Sequence, residues 1–417
     1  MSDIKGNNQG MKVLITGSVL QLFLGIIYVW SAFVTPVEKY FSWDKPAVKL
    51  TSSFMLCCFV LGILFGGKLQ TKIGTAKIVL TGGMLMALGM LATSFIPKDS
   101  TATWIIYVTY GILGGFGVGM AYNAIISCAQ KWFPQRRGMA TGISVCMFGF
   151  STVIFAPLVN ALIGYKELDD GSYVFEQFGI VTTFRILAVA FAVVTLLLFS
   201  FIKMPADTGT QAAATGISEQ KQYTTSEMLK NKSFYFISLS MMFLTAAYFI
   251  LNPTFKDLAK ARGFTDTIAT GILMMTGIAS ASGRLIVPLL GDKIGRERAI
   301  LTILALTVLG TAALIFAKGA LFVAAIAFIS FCYGGSSGIY PVVTADHFGI
   351  KNIGSNYGTV MVGFMLSSLC FPMIIGKIGD PKEVDVPARF IALTILGLLG
   401  VLMVIFLSLS KKKKAKA

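Results

Sequence analysis

The chain has 417 residues, 55% hydrophobic and 13% charged, with a mean hydropathy of +0.77; ordinary globular chains carry about 25% charged residues, so a soluble globular protein is excluded. In a soluble chain a formal charge of +16 would suggest nucleic acid. Here Lys and Arg gather in short connections between apolar stretches, where a membrane protein already places them, so the partner implied is the lipid bilayer and not nucleic acid.

The N-terminus, Met1 to Lys12, is polar and mixed in charge, and the first apolar stretch, 13–35, has no small-residue cleavage site after it. It is expected to be an uncleaved first helix. Five more stretches follow at 47–67, 77–96, 104–130, 138–163 and 180–202, each near the roughly 20 residues that cross a bilayer as a helix. Lys203 to Lys232 is polar and poor in large apolar residues, the composition of a linker. Six further stretches, 233–252, 267–290, 299–317, 320–344, 356–378 and 387–410, complete the chain. The expected fold is an all-α membrane protein of twelve transmembrane helices in two pseudo-symmetric six-helix bundles, 1–202 and 233–417, joined by a cytoplasmic linker, 203–232.

Cys57, Cys58, Cys128, Cys146, Cys332 and Cys370 all fall inside apolar stretches with no metal-ligand spacing, and read as small free hydrophobes. The one histidine, His347, is assigned to a polar loop. No metal cluster, cofactor motif, nucleophile–base pair or phosphate loop is present in the sequence, so neither an enzyme nor a cofactor is expected. Nothing in the sequence demands an obligate protein partner.

With the N-terminus inside, the inner segments and the span ends beside them hold 21 Lys and Arg against 12 on the outer side, and the remaining two, Arg185 and Arg284, lie more than three residues inside their spans. The excess places both termini in the cytoplasm, and the Lys411 to Lys414 run reads as an inner-leaflet anchor. The halves also repeat one another. Lys72-Ile73-Gly74 recurs as Lys293-Ile294-Gly295 at a shift of 221, Gly115 and Gly119 recur as Gly334 and Gly338 at 219, and Pro157 and Gly164 recur as Pro372 and Gly379 at 215. In transporters built from parallel repeats, the substrate sits near the bilayer midplane between the halves.

Asp292-Lys-Ile-Gly-Arg296, followed by Arg298, resembles the loop signature of the major facilitator superfamily, and its first-half counterpart carries Thr71 where most of that superfamily places Asp. The stretch from Lys131 through Trp132, Phe133, Arg136, Arg137 and Ala140 to Gly142 is similar to the fifth-span signature of monocarboxylate transporters, and the oxalate/formate antiporters have a related segment. The resemblance implies secondary transport, with these inner loops latching helices.

The two charged residues more than three residues inside their spans need an account. Arg185 is close enough to the end of the sixth span for its side chain to snorkel to the interface. Arg284 lies in the eighth span with apolar helix on both sides, where a cation costs at least about 2.5 to 3.5 kcal/mol. It is expected to face a wet cavity or an anionic partner, and its planar fork matches a carboxylate. The resemblance supports this, because the arginine of this helix binds substrate in both related families. Asn123 falls where monocarboxylate transporters have an asparagine, and an amide there can bond a substrate oxygen. Its neighbour Tyr122 points about 100 degrees away on an ideal helix. Tyr28, Phe148, Phe331, Tyr333, Tyr357 and Phe364 are candidate cavity walls. Position 280, one turn before Arg284, is Ser280, whereas the animal monocarboxylate transporters carry an acidic residue there. The proton therefore needs another carrier, for which Asp257 is the first candidate and Glu38 the second.

The function expected is a transporter in the cell (inner) membrane that moves small monocarboxylates such as lactate or pyruvate together with a proton. The first alternative is an antiporter of the oxalate/formate kind, but the middle of the eleventh span, Met361 to Phe371, lacks the lysine those antiporters carry there. A carboxylate sensor on a transporter fold is the other alternative. Sensors often carry large cytoplasmic extensions, and this chain has only a short linker and tail.

Overall fold

The structure, a computed structural model, describes residues 2–168, 172–205, 221–375, 377–379 and 385–416. Among the described residues, twelve long helices follow the apolar stretches: α1 (Asn8–Phe41), α2 (Lys45–Ile73), α3 (Thr75–Thr93), α4 (Trp104–Trp132), α5 (Arg137–Ile163), α6 (Gly179–Phe201), α7 (Lys232–Ala261), α8 (Thr267–Ile294), α9 (Arg296–Ala313), α10 (Gly319–Phe348), α11 (Ile353–Ile375) and α12 (Pro387–Ser410). Eleven of them are long and apolar enough to cross a membrane; the exception is α9, whose first turn carries Arg296, Glu297 and Arg298. Large apolar side chains such as Phe65, Val189, Leu197, Met274, Leu309 and Met373 stand on the outside of the helices. That outward apolar surface is what a bilayer solvates, and helices with all backbone bonds made internally are what it tolerates. The chain is an integral multi-pass membrane protein.

Two compact units are present. One comprises Met1–Trp132 with Phe150–Thr208, the other Phe133–Gly149 with Gly209–Ala417, so α5 is divided between them after Gly149. In the first unit α4 packs on α2 and α3, and α3 packs on α6. In the second the closest pair is α8 with α10, while α7 and α9 both pack against α12. A core of Leu251, Phe255, Leu258, Leu314, Phe322 and Phe390 closes one end of this second unit.

The sequence repeat is a repeat of turns and close helix contacts. Gly74 and Gly295 end α2 and α8 with φ of 90° and 93°, a region that favours a residue without Cβ. Gly164 and Gly379 both have positive φ as well. Gly119 of α4 lies against the Phe59 carbonyl of α2, and Gly334 of α10 lies against the Ser280 carbonyl of α8, so by its contacts the counterpart of Gly334 is Gly119, at a shift of 215, and not Gly115 as the glycine spacing at 219 pairs them. Facing them, Gly62 abuts the Phe116 carbonyl, and Gly283, at the same 221-residue shift, abuts the Phe331 carbonyl. Small residues on both partners let the backbones meet, the packing used where lipid supplies no hydrophobic drive between helices.

Several helices outrun their apolar stretches. α10 continues to Phe348, so His347 lies in the last helical turn and not in a loop, with Nδ1 3.1 Å from the Val343 carbonyl. α7 continues through Phe255–Ala261, which puts Asp257 on a helix. Part of the expected linker is also folded. Residues 206–220 lie outside the described set, as do the Lys411–Lys414 side chains, but Tyr223 donates its backbone N–H to Phe348 and accepts from both Asn352 and Asn356. The helix Thr225–Leu229 then begins with a capping box between Thr224 and Glu227. The two bonds from Thr224 hold the Glu227 carboxyl below the usual carboxylate range. The α5–α6 connection, in the gap between the fifth and sixth apolar stretches, carries a two-stranded antiparallel sheet, Tyr165–Glu167 with Tyr173–Phe175. Its Tyr173 hydroxyl donates to the Lys39 carbonyl at the end of α1.

Candidate functional site

Arg284 sits in α8 ten residues before the end of the helix at Ile294, or about 15 Å along the axis. The residue is only 3% exposed. Its backbone is fixed from two sides, because a Cβ on Gly142 of α5 would lie 3.4 Å from the Arg284 carbonyl oxygen and one on Gly338 of α10 would lie 2.7 Å from it. The side chain runs toward α5, where its Cζ stands 5.9 Å from the centroid of the Phe148 ring. That is within cation–π range. Beside it, Gly149 presents no side chain. Chemically this is a buried, always charged, planar donor set held on a rigid backbone with an aromatic ring alongside, an arrangement suited to an oxyanion.

Other expected wall residues form an aromatic group in the same unit. Tyr333 of α10 stacks on Tyr248 of α7 with centroids 3.7 Å apart and planes 7° from parallel. Phe249 meets Tyr333 and Phe364 edge-on at 5.7 and 4.9 Å. Tyr248 and Phe249 were missed in the sequence, where α7 offers only a run of apolar and aromatic residues. Tyr357 is buried and Phe331 partly buried.

The remaining candidates belong to the first unit. Asn123 is buried and donates its amide to the Ile63 carbonyl of α2 at 3.0 Å. Tyr122 meets Phe59 edge-on at 5.2 Å. Tyr28 lies in a 3-10 stretch of α1, Gly25–Val29. Glu38 pairs with Lys45 at 3.4 Å. In the second unit, Asp257 is exposed on the last turns of α7 and forms no ion pair among the described residues.

At the ends of α5, α8 and α10 the basic signature residues meet acids. Asp292 accepts from the backbone N–H groups of Gly138 and Met139 at 3.2 and 2.9 Å, at the N-terminus of α5. The positive end of that helix favours a carboxylate. Arg296 pairs with Asp292 and with Asp346, and Asp346 also accepts from Arg137 at 2.8 Å. His347 stands 3.5 Å from Glu297, which also accepts from Ser408 of α12. Arg185 donates to Ser94 at 3.4 Å and lies over Phe95. Arg262, which the sequence reading passes over, grips Asp385 with two bonds of 2.9 and 2.7 Å between Phe322 and Phe390.

Among known proteins, the oxalate:formate antiporter of Oxalobacter formigenes is 22% identical over 354 residues, 84% of this chain and 80% of its own. Monocarboxylate transporter 13 of Rattus norvegicus is 31% identical over 142 residues, 34% of this chain and 32% of its own. The solved transporter FucP, in an outward conformation, superposes with a TM-score of 0.74 at 15% identity, covering 94% of this chain and 98% of its own. The family model described as Major Facilitator Superfamily matches residues 15–372 and 237–417, and the chain, whose helices and repeated glycine turns carry the same architecture, belongs to that superfamily.

Proposed function

We propose that this transporter moves small monocarboxylates such as lactate and pyruvate with a proton, by alternating access, across the cell (inner) membrane. The observation that carries the reading is Arg284, a guanidinium 3% exposed within α8 and flanked by Phe148 and Gly149. A cation kept at that depth despite its insertion cost is accounted for by binding a carboxylate. Phe331, Tyr333, Tyr357 and Phe364 are the aromatic walls this reading assigns in the same unit, and Tyr28, Tyr122 and Asn123 are the residues it assigns in the other. The relative named an oxalate:formate antiporter motivates an anion-exchange alternative. A monoanion is favoured because Lys377 lies beyond the end of α11, leaving that helix without a second cation.

The direct test is thermal stabilisation of the purified protein across a panel of lactate, pyruvate, formate, oxalate and the uncharged methyl ester of lactate. A ligand at a hundred times its dissociation constant stabilises by about 2.7 kcal/mol. Lactate and pyruvate should raise the midpoint, the ester should not, and stabilisation by oxalate alone would favour the exchanger. Net uptake of a monoanion moves one charge against the membrane potential in each cycle, worth about 2.3 kcal/mol per 100 mV, and co-transport of one proton makes the cycle electroneutral. Asp257 is assigned the proton and Glu38, engaged with Lys45, is the second choice. Asp257→Asn should abolish stimulation of lactate uptake by an inward proton gradient while sparing exchange of lactate for lactate; wild-type uptake indifferent to pH would end the symport reading.

Both termini and the 203–232 segment are assigned to the cytoplasm on the Lys and Arg excess. Single cysteines introduced at Ser218 and Ser2, in a background lacking the six native ones, should react with impermeant maleimide only after the cells are opened. Labelling of either in intact cells would reverse the topology.

A further inference from the structure

We propose that Gly149 is a positioning residue for Arg284, an inference that rests on the carboxylate-binding role given to that arginine. α5 presents Gly138, Gly142 and Gly149 to α8. Spacings of four and seven put them on one helix face. Gly138 lies against Pro288 and Asp292, and Gly142 against the backbone of Arg284 and Leu285. At Gly149 the neighbour is the arginine side chain. A Cβ there would fall 2.9 Å from Nη1, 3.0 Å from Cδ and 3.2 Å from Cζ of Arg284, so the hydrogen of this glycine leaves the space the guanidinium occupies.

The clash an alanine creates has one way to relax. The Arg284 backbone is held by Gly142 on one side and by Gly338 on the other, and Gly149 lies in the interior of α5. A methyl group at 149 therefore turns the guanidinium about its own side-chain torsions, away from α5 and from the Phe148 ring. Two parallel bonds to a carboxylate require the fork to be aimed as a plane, and the aim is lost before the charge is. Gly149 thus sets the direction of the fork without touching the ligand.

The experiment is a double-mutant cycle with two readouts, the ligand-free thermal midpoint and the lactate concentration giving half-maximal stabilisation. Gly149→Ala should lower the midpoint and raise the half-maximal lactate concentration about ten-fold, the loss of part of a charge-assisted pair. In an Arg284→Ala background the same substitution should cost the midpoint nothing, since alanine suits a helix interior better than glycine. If Gly149→Ala alone fails to fold, recovery of folding in the double variant supports the contact equally. Gly277→Ala, in the interior of α8 at a site where a Cβ meets nothing within 4 Å, serves as the control: it should leave the half-maximal lactate concentration unchanged and should not lower the midpoint. An equal midpoint loss in both backgrounds, or lactate binding as tight as wild type in Gly149→Ala, overturns the proposal. Lactate stabilisation retained by Arg284→Ala overturns the carboxylate-receptor reading instead, and with it the positioning role.

Discussion

Arg284→Lys is expected to depress lactate uptake ten-fold to a hundred-fold although the positive charge is kept. The ammonium is a point donor and cannot make the two parallel bonds of a guanidinium, and charge-assisted hydrogen bonds are worth about 1.5 to 3 kcal/mol each. Lysine also loses the guanidinium, whose Cζ stands 5.9 Å from the centroid of the Phe148 ring. Arg284→Ala should go further and abolish acid-induced stabilisation altogether. The comparison that gives these results meaning is Arg185→Lys. That side chain reaches only Ser94 and Phe95 among its described contacts, from near the start of α6, and a lysine can snorkel from the same place. Uptake should be near normal in Arg185→Lys. Near-normal uptake by Arg284→Ala would remove Arg284 from the binding site.

These two arginines show what a sequence can give. Both stand out because a charge in an apolar run is costly wherever the chain folds, but the distance to the helix end does not follow from the apolar run: counted to 290 Arg284 is six residues from the end of its span, whereas the helix continues to Ile294, ten residues on. The twelve helices were legible for the same reason, and so were the repeated glycines, whose positive φ at Gly74 and Gly295 is a local demand. Long-range partners were not legible. Asn123 reads as a cavity amide from the sequence, but that one of its N–H groups is bonded to the Ile63 carbonyl, 60 residues away, is not legible there, because no periodicity in α4 reveals which carbonyl of α2 lies opposite. Helix ends were misjudged where amphipathic or charged turns extend the helix past its apolar segment. His347 is the example: hydropathy falls at Thr344, but the helix runs on to Gly349, whose φ of 82° ends it. Arg262 was overlooked because Asp385, its partner, is 123 residues distant. The fifth-span signature was recognised as a pattern, and its physical content comes from the fold. Arg137 meets Asp346, Ala140 is fully buried, and Gly142 admits the Arg284 backbone.

That last contact set leads to the second large effect, an expected loss of stability in Asp346→Asn. Asp346 is the junction of the charge cluster, 2.8 Å from Arg137 and 3.1 Å from Arg296. The two arginines are not equally dependent on it. Arg296 keeps Asp292 as a second partner, whereas the Arg137 side chain is 6% exposed and has Asp346 as its only ion-pair partner among the described residues. Removing one member of a buried pair costs about 3 to 5 kcal/mol because the other charge stays behind in a low dielectric. Asp346 is about one-third exposed, so water screens part of this, and about 2 to 4 kcal/mol is expected. Arg296→Gln should cost less, since Asp346 retains Arg137 and Asp292 retains the two N–H groups of α5. Replacing both ends of the sensitive pair, as in Arg137→Met with Asp346→Asn, should recover much of the loss, because the stranded charge is then gone. The order is read from chemical-denaturation midpoints in one detergent: wild type highest, then Arg296→Gln and the double variant, with Asp346→Asn lowest. A double variant no more stable than Asp346→Asn would show that Arg137 is held by more than this carboxylate, and that the signature arginine serves a purpose other than pairing.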